Sequence, residues 1–260
     1  MTHTGRSGSP PRVFDAHLHI IDPRFPLQEN NGYLPPPFTV QDYRHRVADL
    51  GVAGGAVVSG SFQGFDQTYL SAALRALGPT FVGVTQVPGD TADAEIRRLD
   101  AAGIRAVRFN IRRGGSADIE DLDRLARRVH DVAGWHTEIY IDAGELAPLY
   151  PVLSRLPKIS IDHLGLSARG FPHLLRLVEA GAYVKATGFG RIDLDAGEAM
   201  NRILDINPRA LMFGTDLPST RATRAFADSD LTSLPELIDP RHLEGVLWNN
   251  AAALYRITPP

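Results

Sequence analysis

Residues 13–21, Val13-Phe14-Asp15-Ala16-His17-Leu18-His19-Ile20-Ile21, form the first apolar run of the chain. β-Branched and aromatic residues fill this run, which predicts a β-strand. Side chains alternate between the two faces of a strand, so Asp15, His17 and His19 are predicted to share one face. An unpartnered buried polar group costs roughly 1–3 kcal/mol, so these side chains line a polar cavity or have buried partners. Two imidazoles that point in the same direction can bind a metal or a polarised oxygen, which favours a functional site over a structural histidine pair.

A unit of helix, glycine and strand recurs along the rest of the chain. Amphipathic helical runs end in a glycine of the kind that caps helix C-termini, and an apolar strand follows. These glycines are Gly51, Gly78, Gly103, Gly134 and Gly181. Two further strands, at 158–161 and 210–213, lack the glycine. With the first strand this makes eight, each followed by a helical stretch, which predicts a single (β/α)8 TIM barrel over residues 11–260. An open doubly wound sheet is the rival, but its glycine-rich phosphate turn is absent.

Composition excludes several classes of function. The chain has 260 residues, 43% of them hydrophobic, and a net charge of −3, so neither a nucleic-acid surface nor an acidic tail is indicated. The absence of cysteine excludes disulfides, thiolate nucleophiles and zinc–thiolate sites. No apolar run reaches the length of about 18 that a membrane span needs. Residues 1–10 lack the apolar core of a signal peptide, so we expect a flexible tail there and a cytoplasmic protein.

Polar residues follow most of the predicted strands, at the ends where barrel active sites lie. The candidates are His17, His19, Ser59, Ser61, Gln86, Arg108, Asn110, Arg112, Tyr140, Asp142, Asp162, His163, Thr187, Arg191, Thr215 and Asp216. Arg108 lies two residues from both Ala106 and Asn110, so it is predicted to share their face of the strand and to point inward. The loop at 22–37 contains five prolines, and a loop of this length is typical of a functional cover, so we expect it over the same mouth.

Structural interpretations compete for three of these positions. Asp216 could cap the N-terminus of a following helix, because aspartate is a favoured cap. His163 could cap the turn in which it lies. Lys185, within the seventh strand, is predicted to be a structural lysine buried against an acid.

Four motifs occur in a fixed order on the predicted strands. They are Phe14-Asp15-Ala16-His17-Leu18-His19, Val107-Arg108-Phe109-Asn110, Ile161-Asp162-His163-Leu164-Gly165 and Phe213-Gly214-Thr215-Asp216-Leu217-Pro218. In this order they resemble the amidohydrolase superfamily (amidohydrolase family 2). Stretches 61–66 and 184–188 also resemble its lactonase branch, to which 2-pyrone dicarboxylate lactonases belong.

The resemblance implies hydrolysis of a lactone that carries one or more carboxylates. It implies that Asp216 is the general base that activates water, and that His17, His19 and His163 hydrogen-bond the lactone carbonyl. The residues implied to bind substrate are Arg108, Arg191, one of Arg112 and Arg113, Tyr140, Ser61 and Tyr33. The branch usually has asparagine where this chain has Gln67, and the short region between strands 6 and 7 leaves the size of the pocket open.

The resemblance also bears on cofactors. Tyr140 stands where metal-binding members of the superfamily have a histidine, so no cofactor is expected and the partner is a small carboxylated lactone. The alternative is a divalent metal such as Zn²⁺ bound by His17, His19, His163 and Asp216, in a hydrolase or a nonoxidative decarboxylase. A catalytically silent binding protein is a second alternative. Neither nucleic acid nor membrane is an expected partner, and a homodimer is compatible with the sequence.

Overall fold

The computed structural model describes residues 12–257, so the tail predicted for residues 1–10 lies outside the described residues. Eight parallel strands pair in chain order into a nearly closed barrel. They are β1 Val13–Leu18, β2 Val52–Val58, β3 Phe81–Thr85, β4 Ile104–Phe109, β5 His136–Ile139, β6 Ile159–Ile161, β7 Tyr183–Ala186 and β8 Leu211–Phe213. Just beyond the strand ends, His19 N donates to Leu217 O and Asp216 N to His17 O, both at 2.7 Å, which joins the last strand to the first. The predicted TIM barrel is confirmed.

Helices alternate with the strands and cover the outside of the barrel. They are α1 Val40–Arg46, α2 Thr68–Leu77, α3 Asp93–Ala101, α4 Leu122–Ala133, α5 Leu146–Leu153, α6 Phe171–Glu179, α7 Ala196–Ile206, α8 Ser229–Thr232, α9 Leu234–Leu237 and α10 Asn250–Tyr255. Gly134, with a φ of 68°, ends α4 in the left-handed conformation that favours glycine. The first helix begins at Val40, after a capping box at Thr39 and Asp42, and ends at Arg46.

Two apolar layers hold the barrel together. One lies between the sheet and the helices, and the other fills the lower barrel interior. In the interior, the Phe14 ring stacks on Tyr255 at 5.4 Å and meets Trp248 edge-on at 5.7 Å. The C-terminal segment therefore closes the end of the barrel opposite the predicted mouth, which leaves the carboxyl ends of the strands for the site.

The predicted alternation along β1 is wrong. Phe14 and Ala16 belong to the interior layer, whereas Asp15 faces outward and accepts hydrogen bonds from Tyr43 Oη at 3.0 Å and Thr215 Oγ1 at 2.7 Å. The pairing of β1 with β2 shifts register between Asp15 and Leu18. This irregularity puts Ala16 and His17 on the same side of the sheet, and a strict two-residue period cannot describe it.

The loop at 22–37 lies at the carboxyl ends of the strands, as predicted. Asn30 Nδ2 donates to Arg113 O, in the loop after β4, at 3.1 Å. Gln28 N donates to Phe62 O, in the loop after β2, at 2.8 Å. The loop thus covers the mouth by contacts with two neighbouring loops. Within residues 12–257, no helix combines the length and apolar character needed to cross a membrane.

Candidate active site

Asp216 is the buried carboxylate at the centre of the mouth. It lies in the loop after β8 with a φ of 59°, a conformation that is uncommon for a residue other than glycine. Its Oδ2 accepts hydrogen bonds from Arg191 Nη2 at 2.5 Å and Nε at 2.9 Å. Its Oδ1 is buried and has no hydrogen-bond partner among the described residues. The next helix, α8, begins at Ser229, so the interpretation of Asp216 as a helix cap is excluded.

Three imidazoles surround the free oxygen of Asp216. His17 Nε2 and His19 Nε2 each lie 3.8 Å from Oδ1, and His163 Nε2 lies 4.0 Å from it. All three rings are buried. Four of the residues that the sequence singled out therefore meet around one point, although they come from strands 1, 6 and 8.

Burial lowers the pKa of all three histidines, so the neutral forms dominate at neutral pH. The partner of each Nδ1 decides which nitrogen carries the proton. His19 Nδ1 lies 2.7 Å from Val58 O, which can only accept, so Nδ1 is the donor and Nε2 presents a lone pair. His163 Nδ1 lies 2.7 Å from Thr187 Oγ1, a hydroxyl that can donate and so leave the proton on Nε2. His163 is therefore fixed by Thr187 and does not cap its turn.

A buried charged network lies beneath His17. His17 Nδ1 is 3.4 Å from Asp162 Oδ1 and 3.4 Å from Lys185 Nζ. Lys185 Nζ in turn lies 2.5 Å from Glu138 Oε2, which confirms the prediction of a structural lysine paired with an acid. Burial alone would raise the pKa of Glu138, but Lys185 and the hydrogen bond from His136 hold it at about 2.

Two of the predicted substrate-binding arginines are paired with internal carboxylates. Arg108 Nη2 donates to Asp162 Oδ2 at 2.8 Å and Nη1 donates to Ser59 O at 2.8 Å. Burial would raise the pKa of Asp162, but the charge of Arg108, together with that of Lys185, holds it well below its usual range. Arg191 is paired with Asp216 in the same way. Arg108 faces inward, as predicted.

A cavity of about 360 Å³, counted to its open mouth, lies above these residues. Its lining residues are His19, Gly60, Ser61, Phe62, Arg108, Asn110, Arg113, Tyr140, Arg191, Thr220 and Arg221. The Tyr140 ring meets His163 edge-on at 5.2 Å and so forms the wall at the end of β5.

Two of the predicted substrate-binding residues lie outside the cavity lining. Arg113 lines the cavity, but Arg112 does not; its side chain is 42% exposed, with its guanidinium 3.8 Å from Asp142. Tyr33 is not a lining residue either, because the guanidinium of Arg221 stacks over its ring at 4.4 Å. Arg221 is the functional candidate that the sequence reasoning missed. It lies in the loop five residues after Asp216 and eight residues after the end of β8, beyond the strand ends at which a barrel fold predicts site residues.

The donor set at the mouth fits a divalent cation. His17 Nε2 and Asp216 Oδ1 are buried without partners among the described residues, and together with a nitrogen of His19 they lie within 4.8 Å of one another. Imidazole nitrogen and carboxylate oxygen are ligands that Zn²⁺ accepts. The contact of His19 Nδ1 with a backbone carbonyl is the kind of support that metal-binding histidines have.

Comparisons with known proteins agree with the fold. The family model described as Amidohydrolase matches residues 14–257. A 2-pyrone-4,6-dicarboxylate hydrolase from Comamonas testosteroni is 26% identical over 277 residues, which cover 95% of this chain and 90% of that protein. A D-galactarolactone isomerase from Agrobacterium fabrum is 24% identical, with coverage of 96% and 93%. The crystal structure of an Agrobacterium tumefaciens protein in its apo form superposes with a TM-score of 0.84 at 23% identity and covers 97% of this chain and 98% of that one.

Proposed function

This chain belongs to the amidohydrolase family, and we propose that it is a hydrolase that opens the lactone ring of a small substrate carrying carboxylate groups. One observation carries the proposal. Asp216 has one oxygen held by Arg191 and the other free, and the free oxygen faces the Nε2 atoms of three neutral histidines. A carboxylate that is fixed on one side and open on the other is well placed to take a proton from water.

Water activation uses Asp216 and His19. Asp216 Oδ1 accepts one proton of the water, and the lone pair on His19 Nε2 accepts a hydrogen bond from the other. This assignment differs from the expectation that His19 donates to the lactone carbonyl, because the proton of the neutral ring is already engaged by Val58 O. The water oxygen then forms its bond to the carbonyl carbon as its proton moves to Asp216.

Ring opening uses His163. With Thr187 donating to its Nδ1, His163 Nε2 carries a proton that can be donated to the oxyanion. A well-placed donor of this kind typically contributes about 3–4 kcal/mol to stabilisation of the transition state. The ring carbon–oxygen bond breaks as the carbonyl re-forms, and Asp216 returns its proton to the leaving oxygen. The products are a carboxylate, a hydroxyl or enol group, and one proton released to solvent.

We further propose that the reaction needs no resident metal. A bound divalent ion would be held by His17, His19, His163 and Asp216, and it would act as a Lewis acid and make its bound water more acidic. Two features argue that these residues work without it. The Arg191 guanidinium already compensates the charge of Asp216. Tyr140 stands at the end of β5, where the resemblance to metal-binding members of the superfamily implies a histidine.

The charges in the cavity favour an anionic substrate over a neutral sugar lactone. Four of the lining residues are arginines, and two of them, Arg113 and Arg221, have no carboxylate within 4.0 Å among residues 12–257. Guanidinium groups pair with carboxylates through two parallel hydrogen bonds. The dicarboxylate named for the Comamonas relative is a substrate of this kind.

A pH-stat assay of purified protein against a panel of charged and neutral lactones tests the function. We expect proton release in step with loss of the lactone, and Asp216→Asn should lower kcat by about 10²- to 10⁴-fold on every substrate. Asp205→Asn is the matched control, since Asp205 is exposed on α7. Conversion without proton release would indicate an isomerase, release of CO₂ a decarboxylase, and binding without turnover a silent binding protein.

A further inference from the structure

Arg221 is held at the outer side of the cavity by the loop that covers the mouth. Its Nη1 donates to Asn30 Oδ1 at 3.1 Å and its Nη2 donates to Asn30 O. Asn30 Nδ2 donates in turn to Arg113 O, and the Tyr33 ring lies under the guanidinium. Arg221 thus connects the loops after β1, β4 and β8 while it still lines the cavity.

The backbone of Arg221 adopts an uncommon conformation to do so. Its φ is 60°, in the left-handed region that a residue with a long side chain rarely adopts. Such conformations persist where the surroundings require them, and they cluster at functional sites. The contacts with Asn30 and Tyr33 are the surroundings that fix this one.

Arg221 and Arg113 differ from the other two arginines of the cavity in having no acidic partner. Arg108 is paired with Asp162 and Arg191 with Asp216. Within residues 12–257, neither Arg113 nor Arg221 lies within 4.0 Å of a carboxylate. Burial, and after it the charge of Arg113, lowers the pKa of Arg221, so the two guanidinium groups repel each other. An anion bound at both would relieve that repulsion.

We propose that Arg221 determines specificity by binding an anionic substituent of the substrate, a carboxylate or a sulfonate, that lies on the covering-loop side of the cavity and apart from the reacting carbonyl. Asn30 acts as a positioning residue that holds the guanidinium in place. The inference rests on the proposed function for the identity of the ligand as a substrate, but the binding of an anion by Arg221 can be tested without catalysis.

The first test is calorimetric titration with tricarballylate, a small tricarboxylate with no ring to open. Wild-type protein should bind it, and Arg221→Met should weaken binding about 10- to 150-fold, the range for loss of a charge-assisted hydrogen bond. Arg221→Lys should recover part of the loss. Arg224→Met is the control, because Arg224 lies in the same loop but pairs with Asp230. Wild type without measurable binding at millimolar tricarballylate, equal binding by Arg221→Met, or an equal loss in Arg224→Met would overturn the inference.

The second test is kinetic and uses lactones with and without a second carboxylate. Arg221→Met should raise KM for the dicarboxylate with little change in kcat, because the contact is made equally in the ground and transition states. It should leave the monocarboxylate unaffected. The single variant Asn30→Ala should raise the KM for the dicarboxylate in the same way. Added to Arg221→Met, it should raise that KM no further. If no lactone is hydrolysed, the proposed function fails while the calorimetric result still decides the role of Arg221.

Discussion

Replacement of Arg108 by methionine separates a substrate-binding role from a structural one. Arg108 and Asp162 form a buried ion pair at 2.8 Å, with side chains only 3% and 0% exposed. The substitution leaves the Asp162 carboxylate without the guanidinium that contributes most to holding its pKa low. Breaking a buried pair from one side typically costs about 3–5 kcal/mol. For a domain of this size that corresponds to a fall in Tm of roughly 6–20 °C.

Activity should fall in a characteristic way in the same variant. Asp162 lies 3.4 Å from His17, one of the three histidines around Asp216. A change in the protonation of Asp162 therefore acts on the reacting centre and not on a distant part of the substrate. We therefore expect kcat/KM to fall for charged and neutral lactones alike. Calorimetric unfolding and steady-state kinetics on both substrates measure the two effects. The Arg108→Met/Asp162→Asn double variant is the control and should recover at least half of the lost stability, since no unpaired carboxylate remains. An unchanged Tm with a selective loss of charged substrates would refute this reasoning and return Arg108 to carboxylate binding.

Two further predictions concern metal and pH. Activity should survive dialysis against a chelator, as assayed by proton release with metal content checked by elemental analysis; loss of activity that Zn²⁺ or Mn²⁺ restores would favour the metal-dependent alternative. The free energy of unfolding should fall as pH drops below about 6.5, because His17, His19, His136 and His163 have lowered pKa values when folded and take up protons only on unfolding. Asp15, whose pKa burial raises to about 6, opposes this with one proton. Urea titrations at a series of pH values measure the net slope, and a flat profile between pH 7 and 5 would contradict the neutral histidines.

Local signals in the sequence were sufficient for the order of strands and helices. A glycine after each of several helices and the length of each apolar run depend on nearby residues only, and the structure follows them closely. Because these signals are local, they also account for the wrong prediction that Asp15 shares a face with His17 and His19. Asp15 faces outward because Thr215, 200 residues further along the chain, and Tyr43 offer it donors and because β2 pairs irregularly with β1. No pattern within residues 13–21 contains that information.

Arg221 was missed for a different physical reason. His17, His163 and Asp216 lie within three residues of the end of a strand, which is where a barrel fold predicts site residues. Arg221 depends on a loop conformation with a positive φ and on Asn30 from another loop. The arginine itself is visible in the sequence, but the contact that aims it at the cavity is not.

The charges of the barrel interior explain why selectivity should lie in the loops. Three cations, Arg108, Lys185 and Arg191, lie against three carboxylates, Asp162, Glu138 and Asp216. Because these charges balance, replacement of one member leaves a buried charge without compensation, and the expected cost includes stability as well as binding. Arg113 and Arg221 are not part of this balance and lie in the loops after β4 and β8. Either can be replaced without leaving an unpaired carboxylate behind, so the anion preference of the cavity can change while the catalytic arrangement stays intact.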